Sequence, residues 1–207
     1  YGGARYRTFP IKLRGRFIVD SSTMVGEECG VNAITEICNL CATRFTTVTS
    51  RSFGATFQSA LVKEMFGNNI LVSYKEKPID KPMSLNELLN SDRGGHTIDP
   101  KVGFHKNVAE VDFSSMFPWL IFNHNISADT LQCKDGPYDE VPGVEIKASL
   151  KYKGLVPRTI KKILDRRMYY KKHPTKINKE KALGLKWILV TCYGYLRFRE
   201  FKLGLAS

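Results

Sequence analysis

The stretch Val108-Ala109-Glu110-Val111-Asp112-Phe113-Ser114-Ser115-Met116-Phe117-Pro118 combines a strand pattern with a helix start. Residues 108–113 have the apolar, β-branched composition of a strand, and Pro118 suits the first turn of a following helix. A charge such as Asp112 at the end of an apolar strand is costly unless a partner satisfies it. Because a helix start leaves backbone N–H groups without intrahelical partners, the pattern predicts a carboxylate beside an anion-binding turn. A magnesium-bound nucleoside triphosphate requires both features.

Two simpler interpretations of the acidic residues stand beside this one. Taken alone, Asp112 is better explained as the N-cap of the helix, because such caps are abundant. Glu110 lies two residues earlier and therefore shares the strand face of Asp112. A salt bridge from Glu110 to a nearby lysine is favoured over a role as an auxiliary carboxylate.

The overall composition indicates a folded protein with a polyanionic partner. The 207 residues are 43% hydrophobic and 11% aromatic, which is typical of a globular chain with its own core. The 32 Lys and Arg residues exceed the 20 Asp and Glu residues and give a net charge of +12. Nucleic acid, an anionic membrane surface and a ribosomal assembly are all compatible with this charge.

Five scattered cysteines occur in mostly apolar surroundings: Cys29, Cys38, Cys41, Cys133 and Cys192. Their scattered placement, odd number and apolar surroundings favour reduced thiols in a cytoplasmic protein over a disulfide framework. The expected localisation is cytoplasmic, and nucleoid-associated if the source is prokaryotic. Cys38 and Cys41 have the spacing of zinc ligands, but no second pair completes four ligands, so a metal role is not favoured. The longest apolar run, residues 183–196, is interrupted by Lys186 and is too short for a membrane span, and we expect no signal peptide or membrane partner.

Hydrophobic periodicity predicts most of the secondary structure. Apolar residues recur at helical spacing over residues 28–42, 54–66, 157–172 and 178–197. Phe57, Leu61, Val62 and Met65 are expected on the buried side of the second helix. Strands are predicted within residues 9–20, at 70–72 and at 108–113, and a short capped helix at 84–90. Residues 75–82 and 134–143 carry turn-forming residues and are predicted loops.

Two predicted helices carry cations next to apolar positions. At 100° per residue, one stripe of helix 157–172 holds Ile160, Ile163, Leu164, Arg167 and Lys171. Arg167 and Lys171 extend the apolar stripe and lie four residues apart, so an anion such as a triphosphate would match them. In helix 178–197, Lys186 shares a face with Val190 and Tyr193, and it either reaches water or meets an anion.

Two of these segments resemble motifs of family B DNA polymerases. Asp112-Phe113-Ser114-Ser115-Met116-Phe117-Pro118, followed by Asn125-Ile126-Ser127-Ala128-Asp129-Thr130, resembles motif A and its continuation. Lys186-Trp187-Ile188-Leu189-Val190-Thr191-Cys192-Tyr193-Gly194-Tyr195 resembles motif B. The amino-acid sequences of residues 92–112 and 186–195 are most similar to those of the diverged second family B lineage of archaea. The resemblance is strong from Asp92 onward and weaker before it.

The resemblance implies a role for each matching residue. Asp112 would ligate two catalytic Mg²⁺ ions, and the Phe113 carbonyl would ligate one of them. The amides around Ser115, Met116 and Phe117 would hold the β- and γ-phosphates, while the Phe117 ring packs under the deoxyribose. The cations Arg167, Lys171 and Lys186 would neutralise the triphosphate, and Tyr193 would pack against the nascent base pair.

The chain departs from the family pattern at several of these positions. Phe117 stands where the family usually has Tyr, a change that keeps the steric barrier to a 2′-hydroxyl. Val190 replaces the usual Asn and removes a polar contact near the nascent pair, which puts efficiency or fidelity in doubt. Thr191 in place of Ser is a milder change.

The implied fold is α/β (α+β), a partial palm sheet with a two-helix antiparallel fingers hairpin and a remnant of the exonuclease-like domain. Residues 1–91 would form the remnant and connecting helices, 92–154 the palm portion with motif A, and 155–201 the fingers with motif B. Residues 202–207 would begin the return to the palm. In the remnant, Asp20 is expected to be structural, because the carboxylate motifs of a proofreading exonuclease are not visible.

Two-metal nucleotidyl transfer needs at least two carboxylates. The family supplies the second from motif C, an Asp-Thr-Asp hairpin that follows motif B and is not found in this sequence, and the thumb is not found either. We therefore expect part of a DNA-directed DNA polymerase that binds template-primer DNA and a dNTP. It would be inactive alone and completed by a second polypeptide or a further segment with motif C and thumb. The alternatives are a catalytically inactive, polymerase-derived DNA-binding or scaffold protein and, on charge alone, an RNA-binding protein.

Overall fold

The computed structural model describes residues 29–71, 84–86, 97–131, 136–140 and 147–196. The helices with described bounds are α1 (Val31–Cys41), α2 (Phe45–Ser50), α3 (Phe53–Gly67), α4 (Met116–Asn123), α5 (Leu155–Lys172) and α6 (Lys176–Leu196). Strands β1 (Tyr138–Glu140) and β2 (Lys147–Ser149) form a two-stranded antiparallel sheet. The described part of the chain is thus helix-rich, and none of its helices has the length and apolar character needed to cross a membrane.

The chain divides into two compact units. Within the described ranges, the first unit holds residues 29–63 and 165–188, and the second holds those between 64 and 164 together with 189–196. Helices α3, α5 and α6 therefore each contribute residues to both units. The domain divisions implied by the sequence, after residues 91, 154 and 201, stay predictions.

The first unit has its core between α1 and the beginning of α6. Ala33, Ile34, Ile37 and Cys41 repeat at helical spacing on α1 and are buried. Gly184 of α6 lies against this stripe, and a Cβ there would come within 3.0 Å of the Ala33 Cβ. The small residue therefore allows the two helices to approach closely.

The second unit is built around the beginning of α5 and the small sheet. Ile160, Ile163 and Leu164 are almost completely buried on one side of α5. In the sheet, Tyr138 pairs with Ser149 and Glu140 with Lys147, the second pair also forming an ion pair of 3.3 Å. Leu131 adds an isolated antiparallel bridge to Ala148.

The four long helices predicted from periodicity are confirmed with small shifts of their ends, and Leu85 and Asn86 are helical inside the predicted helix 84–90. Phe57 and Leu61 are buried as predicted, whereas Val62 is 39% exposed because it lies beyond the edge of the buried stripe. The strands predicted within residues 9–20 and the loop at 75–82 lie outside the described residues.

The strand predicted at residues 108–113 is wrong, as is that at 70–72 for its described residues 70 and 71. Strand formation requires hydrogen bonds to a neighbouring strand, and the described ladder pairs β1 with β2 and Ala148 with Leu131 instead. The loop predicted over residues 134–143 is also wrong at 138–140, which form β1.

Candidate nucleotide-binding site

Asp112 lies in an exposed, irregular segment that leads into α4. Residues 97–113 are exposed throughout, and Val111 and Phe113 are 89% and 74% exposed. Asp112 is therefore open to solvent, and it does not occupy the N-cap of α4, which is Ser115. The simple helix-cap interpretation of Asp112 is wrong. Glu110 is also exposed, and the ion pairs within the described ranges do not include the predicted bridge to a lysine.

The turn after Asp112 begins helix α4 in an unusual backbone conformation. Ser115 has left-handed dihedral angles (φ 60°, ψ 45°), and its carbonyl accepts the first helical hydrogen bond, from the Trp119 N–H at 3.2 Å. Met116 and Phe117 follow in the first turn, where backbone N–H groups have no carbonyl partner inside the helix. Pro118 occupies the next position and, having no N–H, suits this early turn. The backbone N–H groups of this first turn can therefore bind an anion.

The rings of Phe117 and Tyr193 stack in the second unit. Their centroids are 4.9 Å apart and their planes differ by 18°. Both side chains stay about half exposed, at 48% and 45%. The stack therefore brings together one residue of the motif A-like segment and one residue of the motif B-like segment, which are far apart in sequence.

A different face of α4 lines an apolar cavity of about 350 Å³. The lining residues are Phe113, Ser114, Met116, Trp119, Leu120 and Asn123. Pro118 and Ile121, on the remaining face of the helix, are buried. No local sequence pattern predicts this cavity, because its lining combines residues before the helix with residues on one face of the helix.

Along one face of α5, the side chains change from buried apolar residues to partly or fully exposed cations. It begins with the buried Ile160, Ile163 and Leu164, continues with a half-buried Arg167 and reaches an exposed Lys171. Burial lowers the pKa of the Arg167 guanidinium from its usual value, although arginine keeps its charge at neutral pH. The predicted extension of the apolar stripe is therefore half-buried at Arg167 and fully at the surface at Lys171.

Helix α6 presents Lys186, Val190 and Tyr193 on one exposed stripe, while the neighbouring Leu185, Ile188 and Leu189 are buried. The shared face predicted from periodicity is confirmed. The Lys186 ammonium lies 5.6 Å from the centroid of the Trp187 ring. The exposed stripe is therefore available to a ligand.

The polar segment 125–130 has a structural task that the sequence did not reveal. The Asp129 carboxylate accepts hydrogen bonds from the Leu155 N–H at 3.1 and 3.2 Å, and Ser127 Oγ accepts one from the Val156 N–H at 3.2 Å. Buried Asn125 donates to the carbonyls of Ser149 and Tyr152. The segment thus caps the N-terminus of α5, a pairing across many residues that local sequence patterns do not encode.

The donors around Asp112 are of the kind that magnesium binds. Mg²⁺ prefers oxygen ligands and commonly takes one or two carboxylates together with substrate phosphates. The Asp112 carboxylate and the adjacent Phe113 carbonyl fit that requirement for an ion that arrives with a nucleotide. Among the described residues, no group of three or more His, Cys, Asp or Glu could hold a metal ion. At Cys41, burial raises the pKa of the thiol to about 12, which keeps the thiol protonated at neutral pH.

Comparison with known proteins assigns the chain to one family. The family model for DNA polymerase family B matches residues 43–189, and the chain belongs to that family. Over 139 residues it is 35% identical to DNA polymerase 2 of Saccharolobus solfataricus, covering 67% of this chain and 21% of that protein. Over 128 residues it is 30% identical to a DNA polymerase of Pyrococcus glycovorans, covering 60% of this chain and 16% of that protein.

A solved structure supports the same fold. The family B DNA polymerase of Pyrobaculum calidifontis matches with a TM-score of 0.63 at 19% identity, covering 84% of this chain and 24% of that chain. The predicted resemblance to family B polymerases, and to archaeal members in particular, is confirmed. The chain spans about a fifth or less of the length of the relatives it matches.

Proposed function

We propose that this chain binds an incoming deoxynucleoside triphosphate with Mg²⁺, together with template-primer DNA, as the palm and fingers portion of a DNA-directed DNA polymerase. The observation that carries the proposal is the half-exposed stack of Phe117 and Tyr193. It joins the first turn of α4, which can receive phosphates, to the exposed stripe of α6. Exposed Asp112 lies just before that turn in the chain.

Each residue has a defined task in this proposal. Asp112 and the Phe113 carbonyl hold magnesium, which when bound supplies the Lewis acid that polarises the phosphates. The amides around Ser115, Met116 and Phe117 hold the β- and γ-phosphates. Phe117 packs under the deoxyribose, and Tyr193, with Val190 beside it, borders the nascent base pair.

The cations act on the charge of the triphosphate. Arg167, Lys171 and Lys186 neutralise the bound nucleotide, and Lys186 also stabilises the charge that develops on the leaving pyrophosphate. The net charge of +12 favours binding of the DNA phosphates through the same electrostatic attraction.

The second metal-binding carboxylate is proposed to come from another polymerase segment or a second polypeptide with motif C and thumb. Asp112 is one carboxylate, whereas two divalent ions and a triphosphate need at least two. The chain alone is then expected to bind nucleotide without extending a primer.

Primer extension with a motif C-bearing partner segment tests the proposal. With magnesium, template-primer DNA and the partner, the wild-type chain should extend the primer, and Asp112→Ala should abolish extension. Asp99→Ala, which removes an exposed carboxylate from the same irregular segment, should retain it. Salt-sensitive DNA binding without extension under any pairing would instead identify an inactive DNA-binding protein and overturn the proposal.

A further inference from the structure

A buried carboxylate in the first unit connects three helices. Glu36 of α1 is only 6% exposed. Its Oε1 accepts a hydrogen bond from Arg166 Nε of α5 at 2.7 Å, and its Oε2 lies 3.6 Å from Lys181 Nζ of α6. Tyr170 of α5 forms a further hydrogen bond with Glu36. One side chain therefore contacts α5 twice and α6 once.

The electrostatics of this cluster favour one charge state. Burial by itself would raise the pKa of Glu36, but hydrogen bonds from Arg166 and Tyr170 and the nearby positive charges bring it below its usual value. Burial and the contact with Glu36 raise the pKa of Tyr170 to about 12. Glu36 is therefore ionised and Tyr170 neutral at physiological pH.

The Tyr170 ring completes the cluster. It is 4% exposed, and it lies 5.3 Å from the Arg166 guanidinium and 5.2 Å from the Lys181 ammonium. Cations at this range are attracted to an aromatic face. The buried Glu36 carboxylate restricts where its partner side chains can lie. If they move away, the charge is left without hydrogen bonds or water.

The cluster is adjacent to the cations of the proposed nucleotide site. Arg166 and Tyr170 immediately precede Arg167 and Lys171 in α5. Successive residues of a helix differ by 100° in direction, so the direction of the first pair sets that of the second. Glu36 holds the first pair and therefore limits rotation of this part of α5 about its axis.

We propose that Glu36 is a positioning residue that fixes the direction of the Arg167 and Lys171 side chains on α5. The inference rests on the proposed function, in which those cations bind the triphosphate. Glu36 itself does not touch the nucleotide and acts through Arg166 and Tyr170.

Glu180 provides a matched control. Its Oε2 accepts a hydrogen bond from Asn32 Nδ2 of α1 at 2.9 Å. Like Glu36, this carboxylate links α1 to α6, but within the described ranges its hydrogen bond runs to α1 and not to α5. Glu180→Gln thus makes the same chemical change without releasing the residues beside Arg167.

The test measures the dissociation constants of Mg-dATP and of template-primer DNA for the wild type, Glu36→Gln, Glu180→Gln and Arg167→Met. Glu36→Gln should weaken nucleotide binding by about 2- to 30-fold, the scale of coupling through packed networks, and leave DNA binding unchanged. Glu180→Gln should leave both constants within about twofold, since it does not release α5.

The possible outcomes separate the two proposals. If the wild type shows no saturable nucleotide binding, or Arg167→Met does not weaken it, the proposed function fails. If Arg167→Met weakens binding and Glu36→Gln does not, the positioning role is overturned. Equal weakening in Glu36→Gln and Glu180→Gln, or an equal loss of DNA binding, also overturns it. Should Glu36→Gln fail to fold, Arg166→Met removes the same link through a side chain that is 52% exposed, and the same weakening is expected.

Discussion

The aromatic rings of Phe117 and Tyr193 lie 4.9 Å apart, nearly parallel, and are both about half exposed. One ring belongs to the first turn of α4 and the other to the exposed stripe of α6. The contact is therefore a tertiary link within the second unit and also part of a surface open to ligands. Its two roles can be separated by measurement.

The stability role predicts a coupling energy between the two rings. Phe117→Leu and Tyr193→Leu should each lower the free energy of unfolding, and the double variant should lose less than the sum by about 0.5–1 kcal/mol, because the stack can be lost only once. Urea denaturation of the four proteins gives this value. Tyr193→Phe keeps both rings and should remain close to the wild type. Strict additivity would show that the stack contributes no stability.

The ligand-facing role predicts a change in sugar discrimination. In the proposed site the Phe117 ring blocks a 2′-hydroxyl, so Phe117→Ala should reduce the preference for dNTP over rNTP by at least about tenfold. Phe117→Tyr keeps the ring and should preserve the preference. Competitive binding of dATP and ATP measures both variants. An unchanged preference in Phe117→Ala would exclude this ring as the barrier.

The segment that caps α5 predicts an unusual sensitivity at Gly154. A Cβ on Gly154 would lie 2.7 Å from the Ser127 Cβ and 2.8 Å from the Thr130 Cγ2. Neither atom is at the end of a flexible side chain, so Gly154→Ala should displace the cap and lower the free energy of unfolding by about 1–3 kcal/mol. Urea denaturation measures the loss.

Gly67→Ala is the control for this prediction, since a Cβ at Gly67 would meet no atom within 4 Å apart from its chain neighbours and the backbone of its own helix. That variant should be neutral or slightly stabilising, by up to about 1 kcal/mol, because alanine reduces the freedom of the unfolded chain. Equal effects of the two substitutions would show that the close packing at Gly154 does not control stability.

The helices were predictable because their signal is local. The apolar residues of α1 and α5 repeat at helical spacing, and each helix buries the predicted stripe. The segment 108–113 carries an equally apolar pattern, yet the structure leaves it exposed and outside any ladder. A strand depends on a partner strand elsewhere in the chain or in another molecule. An apolar run alone therefore could not distinguish a paired strand from an exposed, unpaired segment.

The candidate site was predictable only where a motif marks it. Asp112 and Lys186 stand out in the sequence because a charge follows an apolar run at the first and interrupts one at the second. The capping of α5 by Asp129 and the buried cluster around Glu36 join residues that are far apart in sequence. Single-sequence patterns do not record such pairs, since each member taken alone looks like an ordinary polar residue of a turn or helix.

Two buried thiols and one buried tyrosine hydroxyl predict a loss of stability at alkaline pH. Burial raises the pKa of the Cys41 and Cys192 thiols to about 12 from an ordinary value of 9.0. The pKa of Tyr170 is raised to about 12 from 10.0, by burial and by the hydrogen bond with Glu36. The folded state therefore binds these protons more tightly than the unfolded state.

The stabilisation from these groups is fully present below about pH 9 and is lost as the pH rises toward 12, by up to about 1.4 kcal/mol per pH unit for each group. The free energy of unfolding of the wild type, measured in urea from pH 8 to 11, should fall above pH 9. Tyr170→Phe removes one titrating group, so its decline above pH 10 should be shallower, while Cys192→Ala should reduce the decline from pH 9 upward. A Tyr170→Phe curve parallel to that of the wild type would show that the tyrosine hydroxyl is not held neutral by its contact with Glu36.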